Sequence, residues 1–397
     1  MRATARRCKE LVNGAGERRW LCTLASMSHK FFLPLLFILT SLSLMAQRTP
    51  IDTSLHIDFE SYDPPSSLVV PEHHPMSASF PFVDVHSHHW RMEKQDLHKL
   101  IREMDSLNMQ VVVNLSGRGG KALKGMMDNI NKSGYQDRIV CFTNINIRSI
   151  DDPDFLEATL AQLDYDASIG ARGLKIYKSQ GMTNTDKAGN RIRINDPRLD
   201  PIWAKAGELG FPVLIHSADP PAFWQPHDAN NERWLELKLR PGRKRGPDNP
   251  ASWETIIGEA HDIFRRHKNT TFIAAHMAWY PNNLEKLGEL LDDIPNLYVE
   301  IGAVIAELGR QPRAANRFFA KYQDRVLFGK DSYKPEEYPT YFRVLETDDE
   351  YFPYYKRYHA FWKMYGLDLP DEVLEKLYYK NALKIIPGLD AGMWEGK

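Results

Sequence analysis

The sequence predicts an α/β domain of the (β/α)8 barrel type, the TIM-barrel fold. Eight short apolar runs recur between residues 81 and 329, and segments with the 3.6-residue period of a helix stand between several of them. Strands that alternate with helices form βαβ units around a parallel sheet, and eight units over about 250 residues fit a closed barrel. The alternative, a doubly wound open sheet, is disfavoured because no glycine-rich dinucleotide loop follows the first run.

The apolar runs are the predicted strands. In order, they are residues 81–86, 109–115, 138–147, 172–177, 211–216, 271–276, 296–302 and 325–329. The predicted helices include residues 94–107, 153–167, 197–209, 253–267 and 313–322. We assign residues 80–390 to this one barrel domain.

The composition excludes several classes of protein. The chain has 397 residues, of which 43% are hydrophobic and 26% are charged, and its formal net charge is −1. These values are ordinary for a globular protein and exclude a chain that is disordered or fibrous throughout. A strongly basic nucleic-acid binder is also excluded at the level of overall charge.

Residues 1–46 are predicted to be a secretory signal peptide. His29 and Lys30 precede the apolar run 31–46, which ends on the small residue Ala46. The alternative, a stable membrane anchor, is disfavoured because the run is shorter than the ~20 residues that span a bilayer. Met27 offers an alternative start, which would make residues 1–26 a mis-assigned beginning of the chain.

The next segment, residues 47–79, is rich in Pro, Ser and His and is interpreted as a linker and an N-terminal arm. The predicted location is therefore outside the cytoplasm, either periplasmic or secreted. Cleavage after Ala46 would leave Cys141 as the remaining cysteine, so no intramolecular disulfide is expected.

Alternate residues of a barrel strand face the interior and the surrounding helices. We assign the bulky residues Val83 and Val85 of strand 1, Leu174 and Ile176 of strand 4, and Ile273 of strand 6 to the helix side. The opposite parity would then face the barrel axis near the C-terminal strand ends, where barrel enzymes place their chemistry. It carries Asp84, His86, His88, Lys175, His216, His276, Glu300 and Asp331.

This polar set predicts a metal site. His86 and His88 are one residue apart and would enter the barrel mouth from one strand end, where His216, His276 and Asp331 converge with them. Burying so many unpaired polar groups without a ligand would be costly. Imidazoles with a carboxylate suit Zn²⁺, with Fe²⁺ or Mn²⁺ as alternatives. Asp84 is interpreted as a supporting group.

The ordered set of a His-x-His after strand 1, single histidines after strands 5 and 6, and an aspartate after strand 8 resembles the amidohydrolase superfamily. Within it, the sequence is most similar to the amidohydrolase-related group, amidohydrolase family 2. The resemblance covers about residues 80–388 and is supported by the stretches 216–226, 231–234, 307–312, 324–331 and 379–383.

The resemblance also singles out Lys175. Residues 173–176 resemble the strand-4 segment of urease-like superfamily members, whose lysine is carbamylated and bridges two metal ions. The alternative is a lysine paired with an interior carboxylate such as Glu300. The number of ions, one or two, stays open. Lys330 departs from the small or hydroxyl residue usual in the family at that position, and we expect its side chain to face outward.

The expected activity is metal-dependent hydrolysis of an amide, ester or lactone in a small molecule. Asp331 would take a proton from the metal-activated water, and His276 would bind the metal or polarise the substrate carbonyl. One alternative is a non-oxidative decarboxylase with the same ligands. A second is a metal-binding scaffold without catalysis.

The loop after strand 5, about residues 217–252, is long enough to be a binding element. Trp224 and Arg233 are its candidate contacts to an anionic or aromatic substrate. The segment 341–365 is dense in aromatic residues and is expected to be a helical cover on the barrel or a face of a homo-oligomer.

The signal peptide leads to a direct prediction. N-terminal sequencing of the protein purified from its native source should begin near Gln47, because signal peptidase cleaves after a small residue such as Ala46. A cytoplasmic protein that retains residues 31–46 would contradict the prediction.

Overall fold

The computed structural model describes residues 9–12, 18–21, 52–389 and 391–394. The chain divides into two compact units, Met1–Pro65 and Ser66–Lys397. In the first unit, the strands Lys9–Val12 and Arg18–Leu21 pair antiparallel. The apolar run of the predicted signal peptide lies outside the described residues. No helix among the described residues has both the length and the apolar composition to cross a bilayer.

Eight parallel strands form the second unit, as the sequence predicts. They are β1 (Phe82–Ser87), β2 (Met109–Asn114), β3 (Ile139–Cys141 continued by Thr143–Asn144), β4 (Leu174–Ile176), β5 (Val213–Ile215), β6 (Phe272–Ala274), β7 (Leu297–Glu300) and β8 (Val326–Leu327). Each strand pairs with the next in sequence. The Val85 N–H donates to the Phe328 carbonyl at 3.0 Å, which joins β1 to β8 and closes the barrel.

One main helix follows each strand. The helices are α1 (Leu97–Ser106), α2 (Lys121–Ser133), α3 (Phe155–Ser168), α4 (Asp200–Glu208), α5 (Trp253–Arg266), α6 (Leu284–Asp293), α7 (Pro312–Lys321) and α8 (Tyr338–Glu346). Shorter helices span Ser179–Met182, Trp234–Leu239, Ile305–Gly309, Asp371–Glu375 and Asn381–Ile385. The five predicted helices correspond to α1, α3, α4, α5 and α7.

Local sequence explains where these helices begin and which face they bury. The Asp96 carboxylate accepts from the Lys99 N–H at 3.0 Å and caps α1, and the Ser252 hydroxyl accepts from the Thr255 N–H at 3.2 Å and caps α5. In α1 the buried positions recur at helical spacing and pack on the sheet. They are Leu97, Leu100, Ile101 and Met104.

The side-chain parity of two strands differs from the prediction. Val83 and Val85 of β1 and Ile273 of β6 belong to an apolar cluster with members from every strand except β4. Only the barrel interior brings opposite strands together, so these three residues face the axis and the helix-side assignment is wrong. The assignment of Leu174 and Ile176 to the helix side is confirmed, since both pack in the outer core.

The parity fails where backbone geometry departs from a regular strand. The register between β1 and β2 shifts between Asp84 and Ser87, so His86 enters the mouth although its neighbour Val85 faces the axis. After β6 the chain turns through a left-handed segment in which His276 has a φ of 57°. Alternation cannot be extrapolated through a shift or a turn of this kind.

Aromatic rings connect β1, β8 and α8 beneath the site. The Phe82 ring lies 4.8 Å from the Phe328 ring and within about 6 Å of Tyr338, Phe342 and Tyr378. In the segment expected to be an aromatic cover, α8 packs on the barrel through buried residues. Beyond α8 the chain forms a short antiparallel pair, Phe352–Pro353 with Lys363–Met364.

Phe82→Ala should lower the free energy of unfolding by about 3–5 kcal/mol, because it removes a fully buried ring and leaves a cavity. Chemical denaturation followed by fluorescence would measure the change. Phe361→Ala is the matched control, since that ring is 61% exposed, and it should change stability by no more than about 0.5 kcal/mol. Equal effects of the two substitutions would contradict this account of the core.

Candidate metal centre

His86 lies fully buried between two carboxylates. Its Nδ1 donates to Glu300 Oε1 at 2.9 Å, and its Nε2 lies 3.3 Å from Asp331 Oδ1. Asp84 holds the backbone of this strand end, since its Oδ1 accepts from the His86 N–H at 3.0 Å and its Oδ2 from the Tyr338 hydroxyl at 2.6 Å. Asp84 is thus a structural support, and the proton on Nδ1 leaves the His86 Nε2 lone pair free for a metal.

His88 directs its Nε2 at the Asp331 carboxylate, as His86 does. Its Nδ1 lies 2.7 Å from the Ser116 hydroxyl oxygen, and its Nε2 lies 3.7 Å from Asp331 Oδ1. The Ser116 contact fixes the ring orientation, much as outer hydrogen bonds orient metal-bound histidines in general. His86 and His88 therefore converge on Asp331 through their Nε2 atoms, as their spacing predicts.

His276 and His216 approach from β6 and β5. The His276 Nδ1–H donates to the Gly302 carbonyl at 2.7 Å, and its Nε2 lies 3.3 Å from His216 Nδ1. Ring centroids of His276 and His86 are 5.1 Å apart. The structure thus brings all four predicted histidines together at the C-terminal end of the barrel.

Glu300 belongs to the inward-facing polar set of the sequence analysis, which gave it no role beyond a possible partner for Lys175. Besides His86 Nδ1, its carboxylate accepts from the backbone N–H groups of His276 at 2.7 Å and Gly302 at 2.5 Å. A Cβ on Gly329 would stand 2.5 Å from Glu300 Oε2, so only glycine leaves room for this carboxylate. Its inward parity at the end of β7 was used to place it there, and the same signal could have assigned it a role in orienting the histidines.

Lys175 is fully buried on β4, and within the described part of the chain its Nζ has no hydrogen-bond partner. The proposed pairing with Glu300 is therefore not formed as a hydrogen bond. Burial lowers the pKa of Lys175 to about 8, although the charges of Asp331 and Glu300 oppose this shift. A neutral amine is consequently accessible near neutral pH.

The electrostatics of the mouth favour neutral imidazoles and an ionised carboxylate. Burial, reinforced by the charge of Lys175, lowers the pKa of His88 to about 4 and holds that of His86 well below its usual value. Burial also lowers the pKa of His216, with His276 contributing. For Asp331, burial would raise the pKa, but the surrounding imidazoles and Lys175 outweigh it and leave the pKa lowered.

These residues fit a divalent cation. The buried atoms without a hydrogen-bond partner include His86 Nε2, His216 Nε2 and Lys175 Nζ. Unsatisfied buried polar atoms are costly unless something else satisfies them. The ligand atoms of His86, His88 and Asp331 lie within 4.8 Å of one another, a spacing that one ion could bridge. Imidazole and carboxylate ligands suit Zn²⁺.

The two predicted substrate contacts hold the long loop in place. The buried Arg233 guanidinium pairs with Glu236 at 3.1 Å and with Glu307. The half-buried Trp224 donates its indole N–H to the Ala251 carbonyl at 2.9 Å. Their contact with a substrate stays a prediction.

The mouth is instead flanked by two aromatic residues that the sequence analysis did not select. The Trp90 ring, 51% exposed, lies nearly parallel to His88 at 5.6 Å and to Tyr177 at 5.6 Å. Trp90 follows His88 by two residues and Tyr177 follows Lys175 by two, so proximity to the ligand positions was the available signal.

Lys330 faces away from the barrel axis, as expected. Val326 and Phe328 pack in the outer core, and Lys330 continues this side of the chain, with its Nζ 2.5 Å from Glu337 Oε2 just before α8. The side chain is buried there and not exposed to solvent.

Residues 147–387 match the model of the protein family described as Amidohydrolase. The chain belongs to the amidohydrolase family. The matched segment contains Lys175, His216, His276 and Asp331, while His86 and His88 precede it. Barrel closure between β1 and β8 brings those two histidines to the other candidate ligands of this amidohydrolase.

Among solved structures, the amidohydrolase is similar to 2,6-dihydroxybenzoate decarboxylase, with 12% identity over 77% of this chain and 99% of that chain and a TM-score of 0.48. It is also similar to 4-oxalomesaconate hydratase from Rhodopseudomonas palustris, with 14% identity, coverages of 79% and 97% and a TM-score of 0.45. A zinc-bound amidohydrolase from Burkholderia multivorans shows 11% identity, coverages of 77% and 99% and a TM-score of 0.44. A comparison with curated proteins gives no match.

The lowered pKa of His88 predicts how the metal-free protein responds to acid. The unfolded imidazole takes up a proton near pH 6.5, whereas the folded one does so near pH 4. Below pH 6.5 the unfolded state therefore binds more protons, and stability falls as the pH falls. His88 should therefore make the free energy of unfolding fall by up to about 1.4 kcal/mol per pH unit between pH 6 and 4.5, and His88→Gln should remove this contribution.

Denaturant unfolding of chelator-treated wild-type and His88→Gln protein at several pH values measures that difference. The exposed His98→Gln substitution on α1 is the control and should leave the slope unchanged. Parallel pH profiles for wild type and His88→Gln would show that His88 does not titrate in this way.

Proposed function

We propose that this amidohydrolase is a metal-dependent hydrolase that cleaves an amide, ester or lactone bond in a small molecule. The observation that carries the proposal is the convergence of the Nε2 atoms of His86 and His88 on Asp331 at 3.3 and 3.7 Å, beside His216 and His276. We further propose that the protein is exported.

His86, His88, His216, His276 and Asp331 are the residues that would hold the ion, with Zn²⁺ as our choice. A divalent ion held there supplies Lewis acidity and lowers the pKa of water from 15.7 to about 7. A second ion would need Lys175 as a carbamylated ligand. The neutral amine that carbamylation requires is favoured by the pKa of about 8.

Asp331 is our candidate for the base. Its carboxylate is ionised, and its side chain is 36% exposed, so it can reach a substrate at the open side of the mouth. It would accept a proton from the attacking water and transfer that proton to the leaving group.

His276 fits a ligand role better than a donor role. Its Nδ1–H is used by the Gly302 carbonyl, which can only accept, so Nε2 of a neutral His276 carries no proton and faces His216 Nδ1 at 3.3 Å. A nitrogen without a proton can bind a metal but cannot donate a hydrogen bond to a substrate carbonyl. Of the two roles expected for His276, the geometry favours metal binding.

The aromatic platform formed by His88, Trp90 and Tyr177 offers a flat apolar wall beside the metal centre. A planar substrate could stack on the exposed Trp90 face. This platform is the observation that supports a second candidate reaction, non-oxidative decarboxylation of a planar carboxylic acid. The product decides between the two reactions, because hydrolysis gives an acid with an amine or alcohol and decarboxylation releases CO₂.

Asp331→Asn and His88→Ala should separate catalysis from metal binding. Asp331→Asn keeps the shape but removes the base, so kcat should fall by about 10²–10⁴-fold while metal content falls far less. His88→Ala removes a ligand and should lower metal content and activity together. Elemental analysis and turnover of any amide, ester, lactone or carboxylic acid accepted by wild type provide the two measurements.

His98→Gln, on the exposed face of α1, serves as the control for both measurements. Wild-type protein that is fully active after exhaustive chelation would disprove the metal-dependent mechanism. Near-normal turnover by Asp331→Asn would disprove the role of Asp331 as base.

A further inference from the structure

Lys330 is a buried cation next to the candidate base. Only 2% of the surface of Lys330 is exposed to solvent. Its Nζ donates to the Ser332 carbonyl at 2.6 Å and to Glu337 Oε2 at 2.5 Å. One ammonium group therefore connects Ser332, the residue after Asp331, to Glu337, the residue just before α8.

The rest of this turn is held from the β1 side. The Lys330 N–H donates to Asp84 Oδ1 at 3.1 Å, and the Asp331 N–H donates to the His86 carbonyl at 2.7 Å. Asp331 itself has a φ of 82°, a conformation that L-residues adopt only when the surroundings enforce it. The Lys330 side chain supplies the anchor on the α8 side of this strained residue.

Stability alone gives little reason for a buried lysine here. A buried ion pair is often no more stabilising than apolar residues of similar volume, because desolvation offsets the attraction. Glu337 also does not depend on Lys330 for a counter-charge, since Lys334 Nζ and Lys356 Nζ each lie 3.3 Å from its carboxylate. What Lys330 adds uniquely is the bond to the Ser332 carbonyl.

We propose that Lys330 is the positioning residue of Asp331. By fixing the Ser332 carbonyl against Glu337, it holds Asp331 in the left-handed conformation that directs the carboxylate at His86 and His88. This inference rests on the proposed function, because Asp331 matters there as ligand and base. Lys330 itself has no role at the reacting atoms.

The test compares Lys330→Met with Lys356→Met, using Co²⁺ as the probe. Both substitutions remove one cation from Glu337, but only the first removes the bond to Ser332. Chelator competition measures the Co²⁺ affinity, and the visible absorption spectrum reports the ligand geometry. Lys330→Met should weaken Co²⁺ binding about 10–100-fold, as loss of an outer partner does in other metal sites, and change the spectrum. Lys356→Met should change neither.

Equal effects of the two methionine variants would overturn the proposal, because they would show that only the charge beside Glu337 matters. Wild-type affinity and spectrum in Lys330→Met would overturn it as well. If Lys330→Met does not fold, the double variant Lys330→Met with Glu337→Gln removes both buried charges and is judged by the same criteria.

Asp331→Ala distinguishes failure of this proposal from failure of the proposed function. If Asp331→Ala weakens Co²⁺ binding while Lys330→Met does not, only the positioning role is wrong. If Asp331→Ala leaves Co²⁺ binding unchanged, the proposed role of Asp331 in the metal centre is wrong, and the positioning role falls with it.

Discussion

The carboxylate of Glu300 is the group on which the candidate site depends. It accepts from His86 Nδ1, from the His276 N–H and from the Gly302 N–H, so one buried anion connects the ends of β1, β6 and β7. Burying a charge is expensive unless hydrogen bonds satisfy it. These donors satisfy Glu300, and each hydrogen bond to it also fixes a part of the site.

The fold could be predicted from the sequence because it follows from periodicity, and with it the end of the barrel at which the candidate ligands lie. Eight apolar runs and the helices between them place strand ends at one face of a barrel, and a polar residue at each end must lie there. Lys175 on β4 illustrates the success. Its neighbours Leu174 and Ile176 pack in the outer core, which forces the lysine inward.

The details that the sequence did not reveal depend on interactions between segments. Val83 and Val85 face the axis, and His86 still enters the mouth because the register of β1 against β2 shifts between Asp84 and Ser87, a shift of which the alternation of β1 contains no sign. Lys330 faces outward as expected, but its burial depends on Glu337, which comes close only in the folded protein. The ion pairs of Arg233 with Glu236 and Glu307 could likewise not be read from the sequence, and its contact with a substrate stays a prediction. A charged residue in a sequence shows no partner until the fold brings one near.

The turn after β6 shows how backbone strain and ligand orientation are linked. His276, Met277, Ala278 and Trp279 all have φ between 52° and 58°, a left-handed run without glycine. Each such residue costs roughly 1–2 kcal/mol, which is large against a total stability of about 5–15 kcal/mol. The offsetting contacts are visible, since Glu300 accepts the His276 N–H and Gly302 accepts the ring Nδ1–H.

His86 and His88 resemble His276 in that a protein group contacts the Nδ1 atom of the ring. His86 uses Nδ1 for Glu300, and His88 places Nδ1 against Ser116. In His86, His88 and His276 a protein group occupies Nδ1. Nε2 of His86 and His88 then faces Asp331, and Nε2 of His276 faces His216 Nδ1. The rings are therefore oriented by the protein rather than by an ion, and binding an ion would not have to supply the free energy of ordering them. The strained turn after β6 supports this interpretation, because it holds the His276 ring in place in the absence of a ligand.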